Sequence, residues 1–299
     1  RRFSPHDPLA DAAVALLRRI PWLGPAVPLD TLESALDAAV AEAARGIGCT
    51  LAFLGGDPGD PDAVVVRPYA AAAQALAARG LCGEFAVKLS LLGLQTDPVR
   101  CEVRLRAILA SAAAHGARVW IDMEGPDAAE PALALVRHLV TEGLALGTGV
   151  QANLRRTASD VDALIAVGAA VRLVKGSYHP SRAAAFRSRR EVAESFFRLG
   201  TRLVGAEARD AGVRAVFATH DLTLLGRLQD HAWSRGLGRD AFEWHALRGV
   251  RAAHQERLAR QGYPVRAVIS YGEGWLGWYA RRLAARPANL WLLARGVIG

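Results

Sequence analysis

The segment AVRLVKG (170–176), followed by EVAESFFRLGTRLVGAEARDAG and then VRAVFATH (191–220), decides how this chain folds. The first and last pieces are short, β-branched and apolar, as buried strands are. The middle piece carries apolar residues at helical i, i+3, i+4 spacing. Strand, helix, strand is the unit of a parallel sheet. The same alternation runs through the chain. Further β-like runs are CTLAFL (49–54), FAVKLS (85–90), ARVWIDM (117–123), TGVQAN (148–153), AFEWHAL (241–247) and VRAVISY (265–271), with helical patterns such as PDAVVVRPYAAAAQALAARG (61–80) between them. Gly80, Gly116, Gly143, Gly168 and Gly212 fall where helices should end and predict left-handed C-terminal caps. Two N-terminal helices are expected at about 8–20 and 29–46. Eight β/α units close a barrel, so a TIM-type (β/α)₈ barrel preceded by N-terminal helices is predicted. An open doubly wound sheet is disfavoured, because no GxGxxG follows the first strand. No Gly/Ser-rich linker splits the chain, which suggests one domain with a helical arm (1–46) and a catalytic barrel (47–299).

Composition excludes several classes. Hydrophobic residues make up 52% of 299, a globular balance. No apolar run is long enough for a membrane span, and the N-terminal RRFSPHDPLADAAVALLRRI reads as an amphipathic helix, not a signal peptide. Cys49, Cys82 and Cys101 make no CxxC unit, so a reducing cytoplasm and no structural zinc are expected. The net charge of +8 is spread over scattered arginines without aromatic interleaving. That argues against nucleic-acid binding and leaves weak peripheral contact with an anionic inner membrane face as an option.

Of the 37 basic residues only two, Lys88 and Lys175, are lysine. Both fall at predicted C-terminal strand ends, the functional face of such a barrel. Asp122 with Glu124, Gln151, Arg172, Thr219 with His220, Glu243 with His245, and Tyr271 are expected there too. Lysine is unfavourable to bury unpaired, so two at one mouth suggest a site for an anionic ligand. Solvated strand-end residues are the plainer reading for either one alone. His220 and His245 lack HxH or HExxH spacing, so no metal site is expected.

The segments AVKLS, VWIDMEG, GVQANLRRT, VRLVKGSYHP, FATHD, FEWHALRGVR and YGEGWLGWYARRLAARPANLW, in this order over residues 85–291, resemble the proline dehydrogenase family. The resemblance implies a distorted barrel holding FAD at its mouth. The implied activity is hydride transfer from the carbon beside a secondary amine to flavin N5, giving the imine. Electrons would then pass to a quinone or another acceptor. It also implies a substrate site of Lys88, Asp122, Tyr178, Leu247, Trp278, Arg281 and Arg282, in which the cations anchor a carboxylate and Asp122 orients Lys88 or an arginine. For the flavin it implies Val150, Gln151, Arg172 near N5, Val174, Lys175, Gly176, Ser177, Ala218, Thr219, His220, Asp221 and His245. Arg190, a looser match, would lie near the pyrophosphate.

Several positions depart from the family pattern. Trp278 and Val268 stand where tyrosines are usual, Gly56 and Ala285 where glutamates are, and Ser177, His245 and Asp221 where alanine, glutamine and asparagine are. These changes gather around the substrate and alter which ring fits more than they alter hydride chemistry. Proline, or a different cyclic or N-alkylated amino acid in a biosynthetic pathway, is the expected substrate. Two other readings stay open: a Schiff-base lyase using Lys88 or Lys175, and a non-catalytic flavin-binding homologue.

Overall fold

A computed structural model of the chain describes residues 26–55, 61–176, 181 and 183–272. Eight strands form a closed barrel in chain order: β1 (Gly48–Phe53), β2 (Glu84–Val87), β3 (Arg118–Ile121), β4 (Leu146–Gln151), β5 (Ala170–Val174), β6 (Ala215–Ala218), β7 (Glu243–Leu247) and β8 (Val265–Tyr271). Every neighbouring pair is parallel, and β1 against β8 closes the ring from Gly48↔Arg266 to Phe53↔Tyr271. The helices are α1 (Leu32–Ala43), α2 (Pro61–Ala78), α3 (Leu89–Leu92), α4 (Pro98–Ala114), α5 (Pro126–Thr141), α6 (Thr157–Ala166), α7 (Arg189–Leu203), α8 (Ala206–Asp210), α9 (Leu222–Ser234) and α10 (Ala252–Arg260). The expected β/α barrel is therefore the fold. All five cap glycines have positive φ, between 67° and 86°.

The helix expected at 8–20 lies outside the described residues. The one expected at 29–46 is shorter, Leu32–Ala43, because the residues before it have other employment. Leu29 extends β8 instead: its N–H donates to the Ser270 carbonyl at 2.9 Å and its carbonyl accepts from Gly272 at 3.0 Å. Thr31 then caps α1 by accepting from the Ser34 N–H at 3.2 Å.

Strand alternation divides the interior in two. Leu51, Phe85, Ile121, Val171, Leu173 and Phe217 belong to the apolar cluster between sheet and helices. Their sequence neighbours on the opposite strand face line the barrel's inside, and at its floor these are not the branched apolar residues usual in such barrels. Glu84, Arg214, Glu243 and Arg266 meet there. Glu84 Oε1 lies 2.6 Å from Arg214 and 3.3 Å from Arg266, and Glu243 Oε2 lies 3.2 Å from Arg266. Trp120 fills the space above, donating its indole N–H to Glu84 Oε2 at 2.6 Å. A side chain on β4 would collide with this ring, since a Cβ at Gly147 would come within 2.5 Å of it.

Gly147→Ala is therefore expected to destabilise the protein by about 1–3 kcal/mol through overpacking. Denaturant unfolding checks this; a variant as stable as the parent would mean that Trp120 is not held against β4.

Candidate active site

At the opposite end of the barrel, the strand termini gather a polar set. Lys88 follows β2 and starts the single turn of α3. That turn is tied to the end of β3 by Glu124, whose carboxylate accepts from the Ser90 N–H at 2.9 Å and the Ser90 hydroxyl at 2.5 Å. Gln151, at the end of β4, donates to the Glu124 carbonyl at 3.2 Å. Three successive strand ends are thus stitched together.

Arg172 rises from the middle of β5, buried, and forms an ion pair with Asp122. Its guanidinium carbon lies 5.2 Å from the Trp120 ring centroid. The carboxylate expected to orient Lys88 or an arginine thus has an arginine partner, on β5. Val174 and Lys175 follow. Lys175 Nζ donates to Asp221 Oδ2 at 2.6 Å, while Asp221 Oδ1 caps α9 by accepting from the Leu224 N–H at 3.1 Å. Burial opposes the charge on Asp221, but Lys175 and the helix N–H groups hold its carboxyl below the usual range. The departure from asparagine to aspartate here comes with a matching cation.

Gly176 has φ +99°, and a Cβ on it would lie 1.9 Å from the Asn153 side chain. Asn153 in turn pins two loops: its N–H donates to the Lys175 carbonyl at 3.1 Å and its carbonyl accepts from Phe186 at 2.8 Å. Glycine is required at 176 on both counts. Thr219 orders the next turn, its hydroxyl accepting from the Asp221 N–H at 3.1 Å and its carbonyl from the Trp244 indole at 2.7 Å. His220 Nε2 accepts from the Leu247 N–H at 3.1 Å, which leaves Nδ1 as the protonated nitrogen. Burial, reinforced by Arg251 and Lys175, pushes this imidazole down to about 4. Leu247 is 38% exposed at the rim, an uncommon state for leucine and suited to a pocket wall. Arg251, just beyond, has φ 56°, the one described non-glycine residue with positive φ.

Some expected site residues sit elsewhere. Glu243 opens β7 at the floor rather than closing it at the mouth. His245, two residues on, is fully buried mid-strand, its ring 5.9 Å from Trp120 and its Nε2 3.4 Å from Glu243. Burial keeps it neutral in spite of the two glutamates nearby. Val150 packs into the apolar cluster, and Ala218 ends β6. Arg190 is exposed in the first turn of α7. Val268 is half-buried inside β8. Gly56, Ser177, Tyr178, Trp278, Arg281, Arg282 and Ala285 lie outside the described residues. The expectation of the sequence missed Trp120, Glu84, Arg214 and Arg266. Their signal was present: each shares the two-residue phase of a mouth residue on its own strand or the next. No described helix is long and apolar enough to cross a membrane, and no cluster suited to a metal occurs among the described residues.

A family model described as proline dehydrogenase matches residues 44–284. The chain is 31% identical to proline dehydrogenase 1 of Bacillus subtilis over 271 residues, 90% of this chain and 88% of that one. It is 30% identical to the proline dehydrogenase of Deinococcus radiodurans over 276 residues, covering 90% and 87%. Among solved structures, proline utilization A of Bdellovibrio bacteriovorus superposes with a TM-score of 0.77 at 19% identity, over 86% of this chain and 32% of that one. The chain thus spans about a third of that larger protein, and the likeness concerns the fold. The matched family model and relatives define an oxidoreductase of the proline dehydrogenase type. The chain belongs to the proline dehydrogenase family.

The neutral state of His220 makes stability depend on pH. Between its ordinary value of 6.5 and about 4, the unfolded chain binds a proton that the native chain refuses. Stability must then fall as pH is lowered through that window, by on the order of 2 kcal/mol from this group. Unfolding at pH 7 and pH 4.5 should show a smaller acid loss in His220→Gln than in the parent. Equal losses would mean that the imidazole charges freely in the fold.

Proposed function

We propose that this protein oxidises proline, or a proline-like cyclic or secondary amino acid, to the corresponding imine, using FAD. A quinone or another carrier is the proposed final electron acceptor. The observation that carries the reading is the donor set at the mouth: Lys88 after β2, with Arg172 on β5 and Lys175 just after it paired to Asp122 and Asp221, beside a neutral His220. Such a set suits an electron-accepting ring joined to phosphates, and a carboxylate-bearing substrate. Arg172, Lys175 and Gly176, with Gln151, Val174, Ser177, Ala218, Thr219, His220 and Asp221, would hold the cofactor. When bound, FAD supplies the hydride acceptor.

The chain's own part is binding, orientation and charge. Arg281 and Arg282, with Lys88, grip the carboxylate; guanidinium forks fix its direction as well as its position. Held so, the carbon beside the nitrogen faces the acceptor at short range, which removes much of the entropic barrier. Tyr178, Leu247 and Trp278 wall the substrate. Asp122 keeps Arg172 in place, and a fixed cation beside the acceptor ring favours its reduction without reorganisation at the moment of transfer. In this reading an arm (1–46) precedes a catalytic barrel (47–299). Val268 and Trp278 reshape the ring pocket, which brings an N-alkylated or larger cyclic amino acid within the substrate range.

The test is anaerobic. The purified protein should be yellow, and the correct amino acid should bleach it; a screen of proline against cyclic and N-methyl amino acids identifies the substrate. A colourless protein trapped by borohydride with a carbonyl substrate would instead favour Schiff-base chemistry. Arg281→Ala should lower kcat/KM by about 3 kcal/mol or more of transition-state stabilisation, and normal turnover by that variant would remove the carboxylate clamp.

A further inference from the structure

Arg172 is held from two sides, and only one of them is the mouth. Above, it meets Asp122. Below, its guanidinium lies over the Trp120 ring, 5.2 Å from the centroid, well within the range of a cation–π contact. Trp120 is 1% exposed, and nothing about its position is loose. Its indole N–H is fastened to Glu84 at 2.6 Å. Arg214 lies 5.4 Å from the ring centroid, His245 meets it edge-on at 5.9 Å, and Gly147 leaves the space that it needs. Glu84 is itself held by Arg214 at 2.6 Å and by the Thr50 hydroxyl at 3.3 Å. A continuous set of contacts therefore joins the charged floor to the one deeply buried cation of the described mouth residues.

We propose that Trp120 is a positioning residue for the cofactor: its ring, anchored through Glu84, fixes where the Arg172 charge sits and so tunes the redox potential of the bound flavin. This rests on the reading of Arg172 as the cation beside the flavin. Asp122 alone would leave the guanidinium free to pivot about one ion pair. An aromatic face beneath it, in a site without bulk water, restricts that motion and lets the arginine keep its charge close to the mouth.

The experiment uses flavin-loaded protein and reads the flavin midpoint potential, with kcat/KM as the second measurement. Trp120→Leu should make the potential more negative and lower kcat/KM about tenfold, the loss expected when a desolvated cation–π contact is removed. Trp120→Phe, which keeps a smaller ring in the slot, should move both in the same direction by less, and decides the matter alone if the leucine variant does not fold. The cycle is closed with Arg172→Met and the double variant. If Trp120 acts through Arg172, its substitution changes the potential little once Arg172 is gone. A purely structural tryptophan would lower the melting temperature and leave the potential of the Trp120 variants at the parent value, which overturns the proposal while Arg172→Met still shifts it. An unmoved potential in Arg172→Met overturns the reading of Arg172 itself, and the inference with it.

Discussion

Glu84 is a carboxylate with almost no contact with water, placed where a barrel of this kind usually keeps branched aliphatic side chains. Burial works against its charge, and Arg266, Arg214 and the Trp120 indole outweigh that effect, so its carboxyl stays below the ordinary range. Removing either arginine would leave an uncompensated charge in a low dielectric, which is far worse than never having buried the pair. The consequence is a fixed geometry. Four strands, β2, β6, β7 and β8, contribute to or adjoin one charged knot, and the indole standing on it has a single place to go.

That knot organises the layers above it. Trp120 is too large for a neighbour on β4, hence Gly147. The ring supports Arg172, and Arg172 meets Asp122 at the rim. A second pair, Lys175 with Asp221, repeats the arrangement between β5 and the start of α9. The two described pairs, Arg172 with Asp122 across β4 and Lys175 with Asp221 past the next strand's end, hold each cation in place. Each pair is neutral at a distance, so its positive charge acts only on a group lying beside it. Neutral His220, locked by the Leu247 N–H, adds a hydrogen-bonding edge without adding charge.

Much of this was legible in the sequence. Eight β/α units, the cap glycines and the two lysines at strand ends all follow from local chemistry, and local chemistry survives folding unchanged. The floor was not legible in the same way. Glu84, Arg214 and Arg266 sit at the beginnings of their runs, where a charged residue reads as a solvated strand end. Only their phase with Lys88, Ala218 and Ser270 turns them inward, and their pairing joins strands far apart in the chain. Glu243 was read as a mouth residue too, although it opens β7 two layers below Leu247. Arg281 and Arg282 rest on motif order, since adjacent positions in a helix point in different directions and spacing alone gives them no common target.

The β8 strand receives two attachments at once: β1 zips along its length, and Leu29 bridges Tyr271 at its end. The earliest and latest described parts of the polypeptide thus complete one another. While the chain emerges from the ribosome, an incomplete cylinder must wait with one edge of β1, and Leu29 before it, unmatched until β8 arrives. Assembly of this seam is a late, long-range event, and the waiting edge is where a chaperone would be most useful.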